Sequence, residues 1–302
     1  ETASVEIRRH NSGFCRAHFL EYFENQVRKA IHDYRMFEPG ERILVAVSGG
    51  KDSLALWDVL LRMGYKADGL YIGLGIDEYS DSSEEEVRRF AEKRGASLQV
   101  VSVPGEYGEG VRGIAAKTRR APCSACGLGK RYTFNRIASE GGYDVICTGH
   151  NMDDEAAALF GNVMHWQTDY MARQSPLMEA ESSGLVRKAK PLYRLSERET
   201  AAYCVLRGID YQVEECPMAL GNKTNQYKEL LNQLELQSPG TKHHLLFGFL
   251  ERAQPFFRAG DPTPLQACER CGEPTSGEVC SFCRMIERAG VARQSGIEIP
   301  LL

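Results

Sequence analysis

The apolar run Ile43-Leu44-Val45-Ala46-Val47 leads straight into Ser48-Gly49-Gly50-Lys51-Asp52-Ser53, and this junction constrains the fold more than any other stretch. A continuous aliphatic run without polar alternation predicts a strand buried on both faces. Glycines after it allow a tight turn and close backbone approach to a ligand. A helix opening on that turn would aim free N–H groups at an anion. Further strand-like runs occur at Gly69–Leu74, Leu98–Val103 and Asp144–Thr148. Helical stretches at roughly 52–63, 83–94, 128–139 and 153–164 alternate with them. That alternation predicts an α/β fold with a parallel sheet covered on both faces.

The glycine turn does not have Walker A spacing. It is similar to the SGGxDS signature of the PP-loop ATP pyrophosphatases, which cleave ATP between the α- and β-phosphates and leave an adenylated substrate. A second motif, Thr148-Gly149-His150-Asn151-Met152-Asp153-Asp154-Glu155, follows the fourth strand. In an open α/β sheet both motifs lie at carboxyl ends of strands, where ligands bind. The adjacent carboxylates suit Mg²⁺ on a pyrophosphate, or an acceptor oxygen to be positioned.

Elsewhere the signals are local. Residues 21–36 read as a leading helix, closed by the turn Glu38-Pro39-Gly40-Glu41. Ser82 with Glu85, and Ser196 with Glu199, have capping-box spacing. The acidic run from Asp81 to Glu86 reads as a helix start, and Gly208 as a helix stop. Residues 165–190 are poorly periodic and predict a mobile loop. Three regions are expected: 1–35, a partial N-terminal finger and leading helix; 36–260, the catalytic domain; and 261–302, a C-terminal finger.

Six of the ten cysteines fall in Cys-x-x-Cys pairs, in a chain showing no secretion signal. Paired cysteines outside an oxidising compartment point to metal or redox chemistry. Cys268, Cys271, Cys280 and Cys283 form two knuckles within sixteen residues and fit a tetrahedral zinc site. So short a segment would draw its folding energy from the metal. Cys123 and Cys126, with the lone Cys216, leave three options open. Three thiolates can hold a 4Fe-4S cluster with one open iron, one cysteine can carry a persulfide, or the site can hold zinc without an evident fourth ligand. Cys15 and His18 look like half of a further zinc finger whose other Cys pair the chain lacks. Cys147 and Cys204 sit in apolar contexts and read as core.

The net charge of −4 does not advertise nucleic-acid binding, but basic clusters such as Lys130-Arg131 and Arg187-Lys188-Ala189-Lys190 interrupt the acidic background. The apolar runs are too short to cross a bilayer.

Taken together, Val45–Ser53, Cys123-Ser124-Ala125-Cys126-Gly127, Thr148-Gly149-His150-Asn151, Glu215-Cys216-Pro217 and the terminal knuckles resemble the TtuA-type tRNA 2-thiouridine synthetases of the TtcA/TtuA group. The similarity spans Cys15 to the last knuckle. It implies a cytoplasmic ATP-dependent tRNA sulfurtransferase that adenylates 5-methyluridine 54 in the T loop and inserts sulfur at C2. It implies a 4Fe-4S cluster on Cys123, Cys126 and Cys216, a catalytic set of Asp52, Lys130 and Asp154, and ATP contacts at Ala46, Ser48, Gly49, Gly50, Lys51, Asp52, Ser53, Ile72 and Gly149. ATP, Mg²⁺, Zn²⁺, tRNA and a ubiquitin-like thiocarboxylated sulfur carrier are the expected ligands and partners, with a homodimer as the assembly and no membrane contact. The alternatives are thiolation of uridine 34 or cytidine 32, or a PP-loop ammonia-dependent ligase. The departure from the family is the N-terminal finger, whose first Cys pair is absent.

Overall fold

A computed structural model describes residues 2–180, 184–219, 221–257 and 264–294. The expected boundary at residue 260 lies outside these. A short hairpin, β1 (Val5–Ile7) and β2 (Ser12–Phe14), precedes helix α1 (Arg16–Asp33). The alternating part follows: β3 (Arg42–Val47), α2 (Lys51–Arg62), β4 (Lys66–Gly73), α3 (Asp77–Arg94), β5 (Leu98–Ser102), α4 (Val103–Tyr107), α5 (Val111–Thr118), α6 (Pro122–Glu140), β6 (Val145–Thr148) and α7 (Met152–Met164). Then come α8 (Thr168–Ala172), β7 (Leu177–Met178), β8 (Arg187–Ala189), α9 (Glu197–Arg207), α10 (Lys223–Gln237) and α11 (Thr241–Gly248). The hairpin β9 (Gln266–Ala267) and β10 (Pro274–Thr275) and helix α12 (Ser281–Arg288) close the described chain.

The main sheet has the order β5-β4-β3-β6-β8-β7, parallel except for β7. Alternation along each strand separates two cores. Val45, Cys147 and Ala189 share one register row, packed under α1, α2, α3 and α9. Leu44, Ile146 and Lys188 share the opposite row, on the face covered by α5, α6 and α12. Helix α2 is buried along most of its length because it lies between β3 and the outer helices. Trp57 on α2 donates to the Ala67 carbonyl, and Gly69 leaves room for its ring: a Cβ there would meet it at 2.5 Å.

Several expectations need correction. Helix α3 begins at Asp77, so the acidic run lies inside it and Ser82 with Glu85 is no cap. Ser80 accepts from Ile76 N and is held by the Tyr71 hydroxyl, which starts the helix earlier than the polar pattern predicts. Residues 165–190 are not simply a loop, since α8, β7 and β8 lie within them and extend the sheet. The Cys-x-x-Cys at 123–126 is inside α6, because Pro122 opens the helix before it. Cys15 is likewise the N-cap of α1. The capping box at Ser196 and Glu199, the left-handed stop at Gly208, and the burial of Cys147 and Cys204 are as expected.

Candidate active site

The turn after β3 works as its composition predicts. Gly49 has φ +81°, and a Cβ on it would come within 2.7 Å of the Ser83 carbonyl oxygen. Ser53 ties the turn: its hydroxyl accepts from Ser48 N at 3.1 Å and donates to the Gly50 carbonyl at 2.9 Å. The N-terminus of α2 therefore opens toward the carboxyl edge of the sheet. The β6–α7 turn closes on it so tightly that Gly149 is required. A Cβ at 149 would lie 2.8 Å from both Asp52 C and Ser53 N.

Charged groups converge where these turns meet. Asp52 accepts from Asn151 Nδ2 at 3.1 Å and from the Thr200 hydroxyl. Lys51 Nζ lies 2.6 Å from Glu197 Oε1 and 3.2 Å from Asp52 Oδ2. Lys228 Nζ, from α10, lies 2.6 Å from Asp154 Oδ1 and 3.5 Å from Glu197 Oε2. Three carboxylates thus surround two lysines. Burial raises the Asp52 pKa above its ordinary value against the pull of Lys51. Burial opposes the charge on Asp154 too, yet Lys228 and His150 outweigh it and hold that carboxyl low. Glu197 follows the same balance, its burial outweighed by Lys51 and Lys228.

The adjacent aspartates have separate roles. Asp153 is buried, paired with Lys242, and accepts from Glu197 N at 3.0 Å. It joins the start of α9 to α7 and does not face the phosphate turn as a metal ligand would. Asn151 caps α7 in a reciprocal box with Asp154, which fixes the Asp154 backbone beside Lys228.

A narrow cavity beside the phosphate turn is lined by Ala46, Ser48, Ile72, Tyr79, Lys130 and Phe134. It brings together three of the expected nucleotide contacts and the expected catalytic lysine. Lys130 stands one helical turn after Cys126 on α6. Burial raises the Cys126 pKa, and Lys130 opposes that rise while Cys216 and Cys123 add to it, so the thiols feel one another. Tyr79 joins the two regions: it lines the cavity, and its phenol is raised by burial and then by Cys216 and Cys126. The Cys123 thiol donates to the Met218 carbonyl at 3.3 Å, which docks the turn after Cys216 against α6. Gln212 N donates to the Gly49 carbonyl at 2.9 Å, so the same segment is also fastened to the phosphate turn.

The terminal cysteines form a separate centre. Ligand atoms of Cys268, Cys271, Cys280 and Cys283 all lie within 4.8 Å of one another. Backbone N–H groups of Cys280 and Cys283 donate to the sulfurs of Cys268 and Cys280. This is a donor set suited to tetrahedral zinc. Cys15 Sγ and His18 Nδ1 are 3.2 Å apart, but no third ligand joins them among the described residues.

A roomier cavity lies beyond the start of α9, lined by Arg9, Asp153, Glu199 and Lys242. Its main buried charges are matched internally, Arg9 to Glu199 and Lys242 to Asp153, which leaves little for a ligand. The residues that motif reading missed are Glu197, Lys228, Thr200 and Tyr79. The capping box at Ser196 gave an indirect signal for Glu197, as the first residue of a helix pointing at the site. Lys228 has no local signal at all.

A family model described as a PP-loop domain matches residues 19–229. The tRNA-5-methyluridine(54) 2-sulfurtransferase of Thermus thermophilus is 52% identical over 285 residues, covering 94% of this chain and 88% of the relative. The protein of that name from Pyrococcus horikoshii is 42% identical, covering 93% and 90%. In fold, the U34-tRNA thiolase NcsA of Methanococcus maripaludis, solved with its [4Fe-4S] cluster, superposes with a TM-score of 0.82 at 22% identity, covering 98% of this chain and 97% of that one.

Proposed function

The chain belongs to the PP-loop tRNA 2-sulfurtransferases, and from that premise we propose that it adenylates 5-methyluridine 54 of tRNA with ATP and replaces the C2 oxygen with sulfur. The observation that carries the residue assignment is the shared boundary of two sites. Tyr79 and Lys130 line the cavity beside the phosphate turn; Lys130 also opposes the rise in the Cys126 pKa, and Cys216 and Cys126 raise the Tyr79 phenol.

Adenine lies in the cavity against Ala46 and Ile72. The α2 N-terminus, with Ser48, Gly49, Gly50 and Ser53, takes the phosphates, and Lys51 offsets charge developing on them. Asp52 and Asp154 are the carboxylates placed to hold Mg²⁺, and Asn151 and Thr200 orient Asp52. The base O2 attacks the α-phosphorus and pyrophosphate departs, so the oxygen to be removed leaves later as part of AMP. Sulfur then takes its place at C2. Lys130 lies between the nucleotide and thiol regions, where a cation stabilises charge on either.

The thiols of Cys123, Cys126 and Cys216 fit a cluster rather than one ion. They adjoin one another electrostatically, yet among the described residues they are not drawn together as the terminal four are. When bound, a 4Fe-4S cluster on three thiolates supplies an iron with an open coordination position able to carry sulfur. Zinc belongs on Cys268, Cys271, Cys280 and Cys283, and Cys15 with His18 supply two ligands of an incomplete second site. The family resemblance also supports a cytoplasmic location, a thiocarboxylated sulfur carrier as donor and a homodimer.

Cys216→Ala tests the assignment. Anaerobically reconstituted variant should lose the broad visible absorption and thiolation while still binding ATP. Thiolation retained in that variant would overturn the cluster role. Mass spectrometry of nucleosides from the treated tRNA checks the position; sulfur at uridine 34 would overturn position 54.

A further inference from the structure

Most well-buried cations in this protein face a carboxylate: Lys51 and Lys228 do so in the active site, and Arg9, Arg136, Lys190 and Lys242 do so elsewhere. Among the described residues two half-buried lysines do not: Lys130, which lines the reaction cavity, and Lys188. Lys188 lies on β8 in the register row of Leu44 and Ile146, so the pleat turns it onto the sheet face covered by α6. There it lines an open groove between α6 and the terminal cysteine module, with Arg131, Tyr132, Thr275, Ser281 and Phe282. Neither Lys188 nor Arg131 makes an ion pair among the described residues. Burial and then Arg131 depress the Lys188 pKa. The carboxylate that also lines the groove, Glu273, accepts from Asn135 at 2.7 Å.

Two cations that form no ion pair among the described residues, beside hydroxyls of Thr275 and Ser281, make a place for an oxyanion. The guanidinium of Arg131 folds back over Gly127, where an added Cβ would meet it at 3.2 Å, so the groove adjoins the Cys123–Cys126 turn. On α6, Lys130 and Phe134 line the reaction cavity while Leu128, Arg131, Tyr132 and Asn135 line the groove. We infer that Arg131 and Lys188 grip a backbone phosphate of the RNA substrate, holding it across α6 from the reacting base. The inference rests on the tRNA-modifying reading above. Phosphate contacts carry register and orientation rather than sequence, which suits a base presented to a pocket on the other face of the same helix.

Binding of unmodified tRNA to the zinc-loaded full chain, measured from low to moderate KCl, tests it. Each neutralised phosphate contributes about 1 to the slope of log affinity against log salt. The double variant Arg131→Gln with Lys188→Gln should lower the slope by about 1, the share of the one phosphate they hold, and each single variant by no more than that. Lys188→Arg should keep the wild-type slope. Because Lys188→Gln removes an unrelieved charge, its thermal midpoint should hold or rise, which separates lost RNA contact from lost folding. A double variant with the wild-type slope would overturn the inference and leave the functional reading standing. Wild-type protein that fails to bind tRNA at all would instead overturn the functional reading.

Discussion

Gly149→Ala should disable the active site by geometry alone. The backbone at 149 is not in the left-handed region, so alanine meets no conformational penalty there. Its Cβ, however, would sit 2.8 Å from Asp52 C and Ser53 N and 3.0 Å from Asp52 O. Ordinary contact begins near 3.4 Å, so the two turns must part by about half an ångström. All three atoms belong to backbone at the start of α2, and none can swing away. Overpacking of this kind costs about 1–3 kcal/mol. The same displacement carries Asn151 away from Asp52 and widens the phosphate turn. A misplacement near 1 Å can lower rates about 100-fold, so a tenfold or greater loss in kcat/KM for ATP is expected. Two glycines serve as controls. Gly69→Ala meets the Trp57 ring at 2.5 Å, far from the turn, and should lower the thermal midpoint while folded protein keeps its KM for ATP. Gly50→Ala meets only Ser48 Oγ at 3.6 Å and should leave the midpoint unchanged. Thermal denaturation and tRNA-dependent pyrophosphate release provide both readouts. Wild-type kcat/KM in Gly149→Ala would refute the claim that this contact sets the spacing of the site.

Lys228→Met should destabilise the protein in a pH-dependent way. Asp154 and Glu197 are held below their ordinary pKa values, with Lys228 contributing to both. Depressed carboxylates lend stability above their unfolded pKa and lose it as pH falls through the folded value. The gap in thermal midpoint between wild type and variant should therefore be present at neutral pH and narrow below about pH 4; an equal gap at pH 7 and pH 3 would contradict the pairing. Cys280→Ser should reduce zinc content measured by atomic absorption. It should also weaken reconstitution of visible absorption, because Phe282 stacks on Tyr132 of α6 at 3.9 Å and supports the helix carrying Cys123 and Cys126. Full absorption in zinc-depleted protein would show that α6 stands without that support.

The phosphate turn was legible because all its determinants are local. An apolar strand, two glycines and a helix start occupy consecutive positions, and each residue type limits the backbone directly. The four terminal cysteines were legible for a similar reason: knuckle spacing alone nearly sets their geometry. By contrast, the acidic stretch in α3 misled because Ser80, clasped by Tyr71 and Ile76, starts the helix upstream of the polar pattern. The short strands β7 and β8 have too few residues to show any period.

By itself the sequence determined a strand–glycine–helix phosphate site, a cysteine group with a choice of chemistries, and a zinc-competent tail. Only the tertiary structure decided which charges meet. It divided Asp153 from Asp154, brought Glu197 and Lys228 to Lys51, linked the cavity to the thiols through Tyr79, and turned Lys188 toward Arg131. Such pairings join residues far apart in the chain, and their free energy depends on burial and on partners within a few ångströms. Neither is a property of residue type or spacing; both arise from sheet register and helix packing.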